Sequence, residues 1–491
     1  MDDHHLSRAI HSSLEDFKRG IEEHEREQEE LKMAIAASLG KSVDQLTARD
    51  LLNATMDENP PSKRKHSPEP TESLPNKKTG PPRYWDGVVK LTHVSGFPSS
   101  SFIKFEDIVQ KSMLKKAAIT AFVCSMDWIE EHFPEDINLC IVTHGQLATR
   151  VQFAPNRVLI HPPMKEPKYG VFHPKLMLLF YDSSMRVVIG SANLERYDYN
   201  DLENVVFIQD FPQNTKPLES VSELPEFAKY IADLLDQMHV PKSVKEELLK
   251  YDFSKAKARI VASVSGVFEG EENYRKYGHA RLAQIIKEIG AFDPARLPKI
   301  EMQTSSLGSL NASYLHELYV SFCGIDPYEN GARSRGRKKE GLPPIEIIYP
   351  TRDTVEMSRL GPSGAGTICL SSKSWQKATF PKQIMRDAVS YREGTLMHSK
   401  FIIASLPPSS NSKKENELLG WVYCGSHNAT LSAWGKLSIA RESKEPKMNM
   451  NNWELGIVLP IYDSTEIPSP FRRPAPPYKP GQDAWTQDME W

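Results

Sequence analysis

The sequence has no long hydrophobic run and no closely spaced pair of cysteines. No apolar stretch approaches the roughly 18 residues needed to cross a bilayer, so the sequence predicts no membrane span. The acidic start, with Asp2 and Asp3, does not fit a secretory signal. The absence of a Cys-x-x-Cys pair argues against a disulfide framework or a zinc site and favours reduced thiols in a cytosolic or nuclear protein. The five cysteines are Cys124, Cys140, Cys323, Cys369 and Cys424.

A net basic charge is also missing. The 61 Lys and Arg residues are outnumbered by 64 Asp and Glu residues, which gives a formal charge of −3. Residues 1–82 hold 12 Lys and Arg against 16 Asp and Glu, so this segment has a charge of −4 and leaves +1 for residues 83–491. If the folded part binds a polyanion, it must therefore use a local basic groove and not its bulk charge.

The composition divides the chain into a tail, a linker and a body. Residues 1–45 predict a tail with two short helices, and residues 46–83 predict a proline-rich basic linker. Within that linker, residues 59–82 hold seven prolines and no aromatic residue. Aromatic and β-branched residues then mark the start of a globular body, which we divide into a first domain at 84–255 and a second at 256–491.

Short apolar runs alternate with helical stretches along the body, which predicts an α/β fold. Several of the runs are apolar throughout, as expected when both faces of a sheet are covered. Helices are predicted at 224–238 and 279–290. Strands are predicted at 175–181, 186–191, 204–209, 258–264, 345–350, 399–405, 420–426 and 454–460.

A compound motif occurs once in each half of the body. Of the 15 histidines, only His173 and His398 are followed two positions later by lysine, at Lys175 and Lys400. Each triplet leads into an apolar strand, and a second strand then ends in Gly-Ser-x-Asn, with the asparagines at Asn193 and Asn428. A single triplet could be a packed core histidine and a solvated lysine. The repetition of the whole pattern indicates a duplication.

The repeated residues suit phosphodiester chemistry. On a strand, residues i and i+2 project to the same face, so each histidine and its lysine project together. Two ammonium groups and two amides can hold phosphate oxygens that gain charge in the transition state, and two imidazoles can act as nucleophile and general acid. No carboxylate cluster for magnesium accompanies them, so the lysines would replace a metal, and neither a metal nor a cofactor is expected.

This duplicated motif resembles the phospholipase D superfamily. Most members of that superfamily have an aspartate five positions after each lysine, where this sequence has Phe180 and Ser405. In lacking both aspartates, the sequence resembles the tyrosyl-DNA phosphodiesterase family. This resemblance extends over residues 84–491. Three further motifs support it: "QTSSLGSL" at 303–310, "NATLSAWG" at 428–435 and "NNWELGIVLP" at 451–460.

The resemblance implies two similar phospholipase D-like α-β-α domains related by pseudo-twofold symmetry, preceded by a largely disordered tail with short helices. It implies a monomeric DNA-repair hydrolase of the nucleus that acts on single- and double-stranded DNA 3′ ends linked to a topoisomerase-derived tyrosyl peptide. The alternatives are another nuclease or lipase of the superfamily, which the missing aspartates disfavour, and a non-catalytic ubiquitin and DNA adaptor.

The resemblance also implies a role for each motif residue. His173 would be the nucleophile and His398 the general acid, while Glu454 would orient His173. The family usually has a glutamine to orient the second histidine, and counting from the first asparagine places Asn204 there. Asparagine is one methylene shorter, so contact with His398 would need a bridging water. The residues that hold the phosphate would be Lys175, Lys400, Asn193 and Asn428.

Contacts with DNA are implied at five further positions. Tyr169 lies four residues before the first motif histidine, where the family has an aromatic residue that stacks on DNA, and stacking tolerates any base. Ser305, Ser306 and Ser309 match a serine-rich turn that binds DNA phosphates. Lys373 lies within one position of a lysine of the family.

The tail contains two similar segments, "LSRAIHSSL" at 6–14 and "LKMAIAASL" at 31–39, both preceded by acidic residues. Their Leu, Ala, Ile and Leu positions form one narrow apolar stripe on a helix. This pattern resembles the ubiquitin-interacting motif, although helices that dock on the body or form a coiled coil would fit as well. The implied ubiquitin contacts are Leu6, Ala9, Ser13, Leu31, Ala34 and Ser38. The basic segment "SKRKH" at 62–66 resembles a nuclear localisation signal.

Overall fold

The computed structural model describes residues 82–98, 102–329, 341–408, 417–462 and 468–487. The predicted ubiquitin-contacting helices and the basic localisation segment lie outside the described residues. The described residues belong to one compact unit. Within the described residues, no helix is both long enough and apolar enough to cross a membrane.

The strands of the first half form one eight-stranded sheet in the order β1-β8-β7-β6-β2-β3-β5-β4. Strands β6, β7 and β8 are a consecutive antiparallel set, while β2, β3 and β5 run parallel to one another. The bounds are β1 (Val88–Leu91), β2 (Lys116–Ala121), β3 (Asn138–Thr143), β4 (Thr149–Ala154), β5 (Arg157–His161), β6 (Leu176–Phe180), β7 (Ser184–Gly190) and β8 (Val205–Pro212).

The second half forms a seven-stranded sheet in the order β13-β12-β11-β14-β15-β18-β9, and a small sheet in the order β10-β17-β16 lies beside it. The large sheet contains β9 (Arg259–Ser263), β11 (Lys299–Gln303), β12 (Ile345–Ile348), β13 (Met385–Arg386), β14 (Phe401–Ser405), β15 (Gly420–Gly425) and β18 (Glu454–Ile461). The small sheet contains β10 (Gly266–Glu269), β16 (Lys436–Ile439) and β17 (Pro446–Met450).

Seven strands of the two large sheets correspond in order and in direction. Read from one edge, β1-β8-β7-β6-β2-β3-β5 matches β9-β18-β15-β14-β11-β12-β13, with four antiparallel pairings followed by two parallel ones in both. The expected pair of similar α/β domains is therefore confirmed. The described strands of the first sheet end at Pro212 and those of the second begin at Arg259, on either side of the expected boundary at 255.

Ten α-helices in the described residues cover or connect the sheets. Both predicted helices are present, as α4 and α6, and all eight predicted strands are present with ends shifted by a few residues at most. The spacing of apolar residues predicts helix α4 because the residues it buries, Phe227, Ile231 and Leu235, recur at the helical period. The helices are α1 (Phe105–Val109), α2 (Met126–His132), α3 (Arg196–Asn200), α4 (Glu226–Gln237), α5 (Lys242–Glu247), α6 (Gly278–Glu288), α7 (Ala312–Phe322), α8 (Arg352–Glu356), α9 (Ser372–Gln376) and α10 (Leu431–Trp434).

The two halves share an apolar core. One cluster of buried side chains contains Phe172 and Val205 from the first half together with Phe401 and Leu455 from the second. The strands that precede and follow the motif residues, such as β6 and β15, are buried along their whole length. This shared core brings the motif ends of the two sheets to one junction.

Candidate active site

Each motif histidine is attached by its backbone to the opposite half of the chain. The amide of His173 donates to the carbonyl of Trp453 at 3.1 Å, and the amide of His398 donates to the carbonyl of Glu203 at 3.0 Å. The residues just before the histidines form matching parallel bridges, Phe172 with Trp453 and Met397 with Glu203. Both histidines therefore lie at the junction between the halves.

Glu454 orients the first histidine. The Nδ1 atom of His173 lies 2.8 Å from Oε2 of Glu454. The other carboxylate oxygen, Oε1, accepts a hydrogen bond from the side-chain amide of Asn452 at 3.0 Å. The Ser426 hydroxyl donates to the same Oε2 atom at 2.5 Å. Because a carboxylate only accepts hydrogen bonds, Nδ1 of His173 holds the proton and Nε2 has a free lone pair. This is the tautomer that a nucleophilic imidazole requires.

Asp198, and not Asn204, contacts the second histidine. The Nδ1 atom of His398 lies 3.0 Å from Oδ2 of Asp198, and the same oxygen accepts a short hydrogen bond from the amide of Asn193. The side chain of Asn204 instead accepts from Ser191 at 2.7 Å and donates to the carbonyl of Asp198 at 2.8 Å. Asn204, which was expected to reach His398 through a water, thus makes no direct hydrogen bond to it, and Asp198 is the direct partner of that imidazole.

Asn204 nevertheless occupies the position in the first sheet that Glu454 occupies in the second. Relative to the paired strands, Asn204 stands two residues before the partner of Gly190, as Glu454 stands two residues before the partner of Gly425. Each also binds the serine that follows that glycine. Because asparagine is shorter and its carbonyl oxygen is held by that serine, it does not reach the imidazole. A carboxylate from α3 takes its place.

Glu203, which precedes Asn204, links the two halves through an ion pair and does not orient a histidine. Glu203 is buried and forms an ion pair with the guanidinium of Arg392, and its carboxylate also accepts from the Ser390 hydroxyl. Arg392 donates in addition to the carbonyl of Thr92 at 2.7 Å. Glu203 therefore joins the halves behind the second histidine and does not contact the imidazole.

The two motif lysines are buried at the junction. The Nζ atom of Lys175 donates to the carbonyl of His173 at 2.8 Å, and Lys400 makes the equivalent short bond to the carbonyl of His398. Burial lowers the pKa of Lys175 to about 8, against the opposing effect of Glu454 and Asp198. Burial, followed by the charge of Lys175, holds the pKa of Lys400 well below its ordinary value. An anion between the two lysines would relieve this repulsion.

Burial also lowers the pKa of both motif histidines to about 4. The carboxylates of Glu454 and Asp198 oppose this effect at His173 and His398 respectively. The charge of Lys400 acts on His173, and that of Lys175 acts on His398, so the two halves contribute to one electrostatic environment. Burial would raise the pKa of Glu454, but the first histidine beside it lowers that pKa to about 2. At neutral pH the free site therefore holds neutral imidazoles and ionised carboxylates.

The two motif asparagines are oriented through their side-chain oxygens. Oδ1 of Asn428 accepts from the hydroxyl of Thr304 at 3.0 Å and from the amide of Ser306 at 3.1 Å. Oδ1 of Asn193 accepts a weaker bond from the amide of Val123 at 3.4 Å. Each asparagine therefore keeps its amide NH₂ as the group available to a phosphate oxygen.

The serine-rich turn has two parts. Ser305 is fully buried, and its hydroxyl donates to Asn428 at 3.2 Å, so this serine positions the motif asparagine. Ser309 is exposed, and its hydroxyl lies 2.8 Å from that of Ser374 and accepts from Lys377 at 3.3 Å. The structure thus places Lys377 beside the turn. Sequence reasoning missed it, because it lies just beyond α9.

The two other predicted DNA contacts lie at the surface. Lys373 is exposed on α9, the same helix that Lys377 follows. Tyr169 is half-buried, and the Nζ atom of Lys168 lies 5.6 Å from the centre of its ring. An aromatic face beside an ammonium group offers both stacking and charge to a nucleotide.

Glu195 is a further acid of the site that sequence reasoning missed. It follows the first motif asparagine by two residues and immediately precedes α3, which supplies Asp198. Burial raises its pKa to about 7, the charge of Asp198 adds to this, and Lys175 opposes it. A carboxyl group near Lys175 thus changes its charge close to neutral pH.

Together, two imidazoles with free Nε2 atoms, two ammonium groups and two amides can bind and transfer one phosphoryl group. In the described part of the chain, no three His, Cys, Asp or Glu side chains form a metal-ligand cluster.

Comparisons with known proteins identify a family for this chain. The family model of tyrosyl-DNA phosphodiesterase matches residues 88–484. Tyrosyl-DNA phosphodiesterase 1 of Arabidopsis thaliana is 24% identical over 429 residues, which are 82% of this chain and 64% of that protein. Its counterpart in Drosophila melanogaster is 24% identical over 347 residues, 65% of this chain and 57% of that protein. The chain thus matches less than two thirds of the length of these relatives.

A solved structure shows the same fold. The yeast tyrosyl-DNA phosphodiesterase superposes with a TM-score of 0.60 at 19% identity, and the match covers 82% of this chain and all of the yeast chain. The family model spans most of the body, including both histidine motifs. The chain belongs to the tyrosyl-DNA phosphodiesterase family.

Proposed function

We propose that this chain hydrolyses the phosphodiester bond between a DNA 3′ end and the tyrosine of a trapped type I topoisomerase. The reaction would pass through a phosphohistidine and leave a 3′-phosphate. The observation that supports it is the pair of histidine–carboxylate contacts, each formed between the two halves: His173 with Glu454 and His398 with Asp198. The charges of the two buried lysines, Lys175 and Lys400, act on both histidines.

In the first step, Nε2 of His173 attacks the phosphorus, a new N–P bond forms and the P–O bond to tyrosine breaks. Lys175 and Lys400 hold the non-bridging oxygens with the two asparagine amides, which lowers the cost of the charge that develops there. The Nε2–H of His398 donates its proton to the leaving phenolate oxygen. The negative phosphate favours protonation of this imidazole and so raises its pKa in the complex.

In the second step, His398 is neutral and accepts a proton from water through Nε2. The hydroxide attacks the phosphorus, the N–P bond to His173 breaks and the 3′-phosphate leaves. Glu454 stabilises the charge on His173 while the phosphohistidine exists, and Asp198 does the same for the second imidazole when it is protonated. Each carboxylate therefore serves the histidine of the opposite half.

Turnover of a 3′-phosphotyrosyl oligonucleotide in the presence of EDTA tests this proposal. Release of tyrosine and of a 3′-phosphate is expected without added metal. A requirement for magnesium would favour another nuclease of the superfamily, and absence of turnover would favour an adaptor. His173→Ala should abolish covalent capture of DNA, whereas His398→Ala should let the covalent adduct accumulate when the leaving group is good. A matched control is His316→Ala on α7.

We also propose that the tail binds ubiquitin and that the basic linker directs the protein to the nucleus. Both proposals rest on the sequence motifs. Binding to polyubiquitin beads should be lost when Ala9 and Ala34 are both replaced by Phe, and retained in the control Ala54→Phe. Unchanged capture by the double variant would contradict the first proposal. A fluorescent fusion should leave the nucleus when residues 63–65 are replaced by Ala.

A further inference from the structure

The side chain of Asn452 bonds both to the residue that orients the first histidine and to the segment that carries that histidine. Its Nδ2 atom donates to Oε1 of Glu454 at 3.0 Å, and its Oδ1 atom accepts from the backbone amide of Val171 at 3.2 Å. The side chain is buried. Because a backbone N–H can only donate, Oδ1 faces Val171 and the NH₂ group faces Glu454. The two partners therefore fix the orientation of this amide.

The two segments that meet at Asn452 come from opposite halves and run side by side. The amide of Trp453 donates to the carbonyl of Val171 at 2.9 Å, and the amide of His173 donates to the carbonyl of Trp453 at 3.1 Å. The Asn452 side chain extends this short parallel ladder by one hydrogen bond. Its own backbone amide donates to the carbonyl of Ser432 at 3.1 Å. Asn452 therefore holds the backbone just before the histidine as well as the carboxylate beside it.

The two oxygens of the Glu454 carboxylate have different donors. Oε2 lies 2.8 Å from Nδ1 of His173 and accepts from the hydroxyl of Ser426 at 2.5 Å. For Oε1, Asn452 is the one hydrogen-bond donor among the residues that the structure describes. Without that donor, a buried carboxylate oxygen would be left unsatisfied, which is unfavourable. Asn452 thus fixes the plane of the carboxylate that faces the imidazole.

The first half has no equivalent amide. Asn204 corresponds to Glu454 in the paired strands, so the residue two positions earlier, Leu202, corresponds to Asn452. Leu202 is fully buried in an apolar cluster and has no side-chain donor. The side-chain amide is therefore present only beside His173, the histidine that attacks phosphorus in the proposed mechanism.

We propose that Asn452 is a positioning residue for formation of the phosphohistidine and that it acts through Glu454. This inference rests on the proposed function. As the N–P bond forms, His173 gains positive charge while its Nδ1–H faces Oε2. The hydrogen bond from Asn452 stabilises the ionised carboxylate, so the proton stays on Nδ1 and the ion pair persists in the intermediate. It also keeps the imidazole aligned with phosphorus, since a displacement of about 1 Å can cost about 100-fold in rate.

Quenched-flow kinetics at pH 8 with an oligonucleotide 3′-p-nitrophenyl phosphate tests this role, because it separates formation of the phosphohistidine from its hydrolysis. Asn452→Asp keeps the size of the side chain and the acceptor for Val171 but replaces the donor to Glu454 with an acceptor. Formation should slow about tenfold, and hydrolysis should slow less. Asn452→Leu, which copies the equivalent position of the first half, should also slow formation. The matched control is Asn449→Leu on β17, whose side chain bonds to Lys165.

The two Asn452 variants distinguish positioning from a purely structural role. If the amide served only to anchor Val171, Asn452→Asp would form the phosphohistidine at the wild-type rate. That result would overturn the proposal, whatever the rate of Asn452→Leu. Thermal unfolding of each variant shows that the slower chains are folded at the assay temperature.

A double-mutant cycle tests whether Asn452 acts through the carboxylate. In a Glu454→Gln background, Asn452→Asp should have little further effect, because the new amide at 454 can donate to the aspartate. Independent effects of the two substitutions would overturn the proposal. A wild-type chain that does not hydrolyse the substrate would instead contradict the proposed function, so the two failures are distinguishable.

Discussion

The Nδ1 atom of His398 lies 3.0 Å from the carboxylate of Asp198, although 200 positions separate them in the chain. The other motif histidine makes the equivalent contact, with Nδ1 of His173 2.8 Å from the carboxylate of Glu454. The two carboxylates do not come from equivalent positions, since Asp198 belongs to α3 and Glu454 begins β18. The site is therefore symmetric in its chemistry but not in its construction.

Asp198→Asn should lower kcat by about 10- to 100-fold, because an amide no longer fixes the tautomer of His398 or stabilises its charge. The defect should shrink when tyrosine is replaced by p-nitrophenol, which leaves without a proton. Glu454→Gln should instead slow formation of the phosphohistidine with either leaving group. Single-turnover kinetics with both substrates measures this. An Asn204→Ala variant that is more impaired than Asp198→Asn would contradict the assignment.

The value of kcat/KM should fall above about pH 8. Burial lowers the pKa of Lys175 to about 8, so the free enzyme loses one of its two phosphate-holding charges above that pH, and kcat/KM reports the free enzyme. In Lys175→Arg, which stays charged, any remaining activity should decline only at a higher pH. A Lys287→Ala control on α6 should follow the wild-type profile. A flat wild-type profile across this range would contradict the prediction.

Glu195→Gln should lower KM at pH 8 but not at pH 6. Burial and the charge of Asp198 raise the pKa of Glu195 to about 7, so the carboxyl group is negative at pH 8 and largely neutral at pH 6. Removing that charge near Lys175 should strengthen binding of the DNA phosphate about fivefold at the higher pH. The exposed Glu442→Gln is the matched control. Equal effects at both pH values would rule out an electrostatic role.

The free energy of unfolding should decrease as the pH falls from about 6.5 to about 4. Burial lowers the pKa of His173, His398 and His427 to about 4. The unfolded chain, with ordinary imidazoles, therefore binds more protons in this window, at a cost of up to about 1.4 kcal/mol per pH unit for each histidine. Thermal unfolding across this range measures the slope. It should be shallower in His427→Gln, and an unchanged slope would contradict the prediction.

Lys377→Ala should weaken DNA binding and reduce its salt dependence by about one unit on the log–log scale, because Lys377 beside Ser309 is placed to contact a phosphate. Lys373→Ala, from the same helical region, is the matched control and should change binding less. Fluorescence anisotropy with a single-stranded oligonucleotide over a salt series provides the measurement. A larger effect for Lys373→Ala would contradict this prediction and indicate that Lys373 contacts the DNA phosphate, as the sequence resemblance implies.

Local pattern was sufficient to predict most of the fold. The strands at β6, β7, β14 and β15 were recognisable because continuous apolar runs reflect sheets covered on both faces. The projection of His173 with Lys175, and of His398 with Lys400, follows from the two-residue period of a strand. The repetition of these features predicted a duplicated α/β fold, which the strand order confirms.

The sequence by itself determined which side chains repeat, and the tertiary structure decided which of them meet. Counting residues from Asn193 identified Asn204 correctly as the equivalent of Glu454. Whether its side chain reaches His398 depends on its length and on α3, whose Asp198 makes that contact instead. The position of Lys377 beside Ser309 and the raised pKa of Glu195 likewise depend on segments brought together by packing. Periodicity describes neighbours along one strand, whereas hydrogen bonds and pKa values respond to whatever lies within a few ångströms in space.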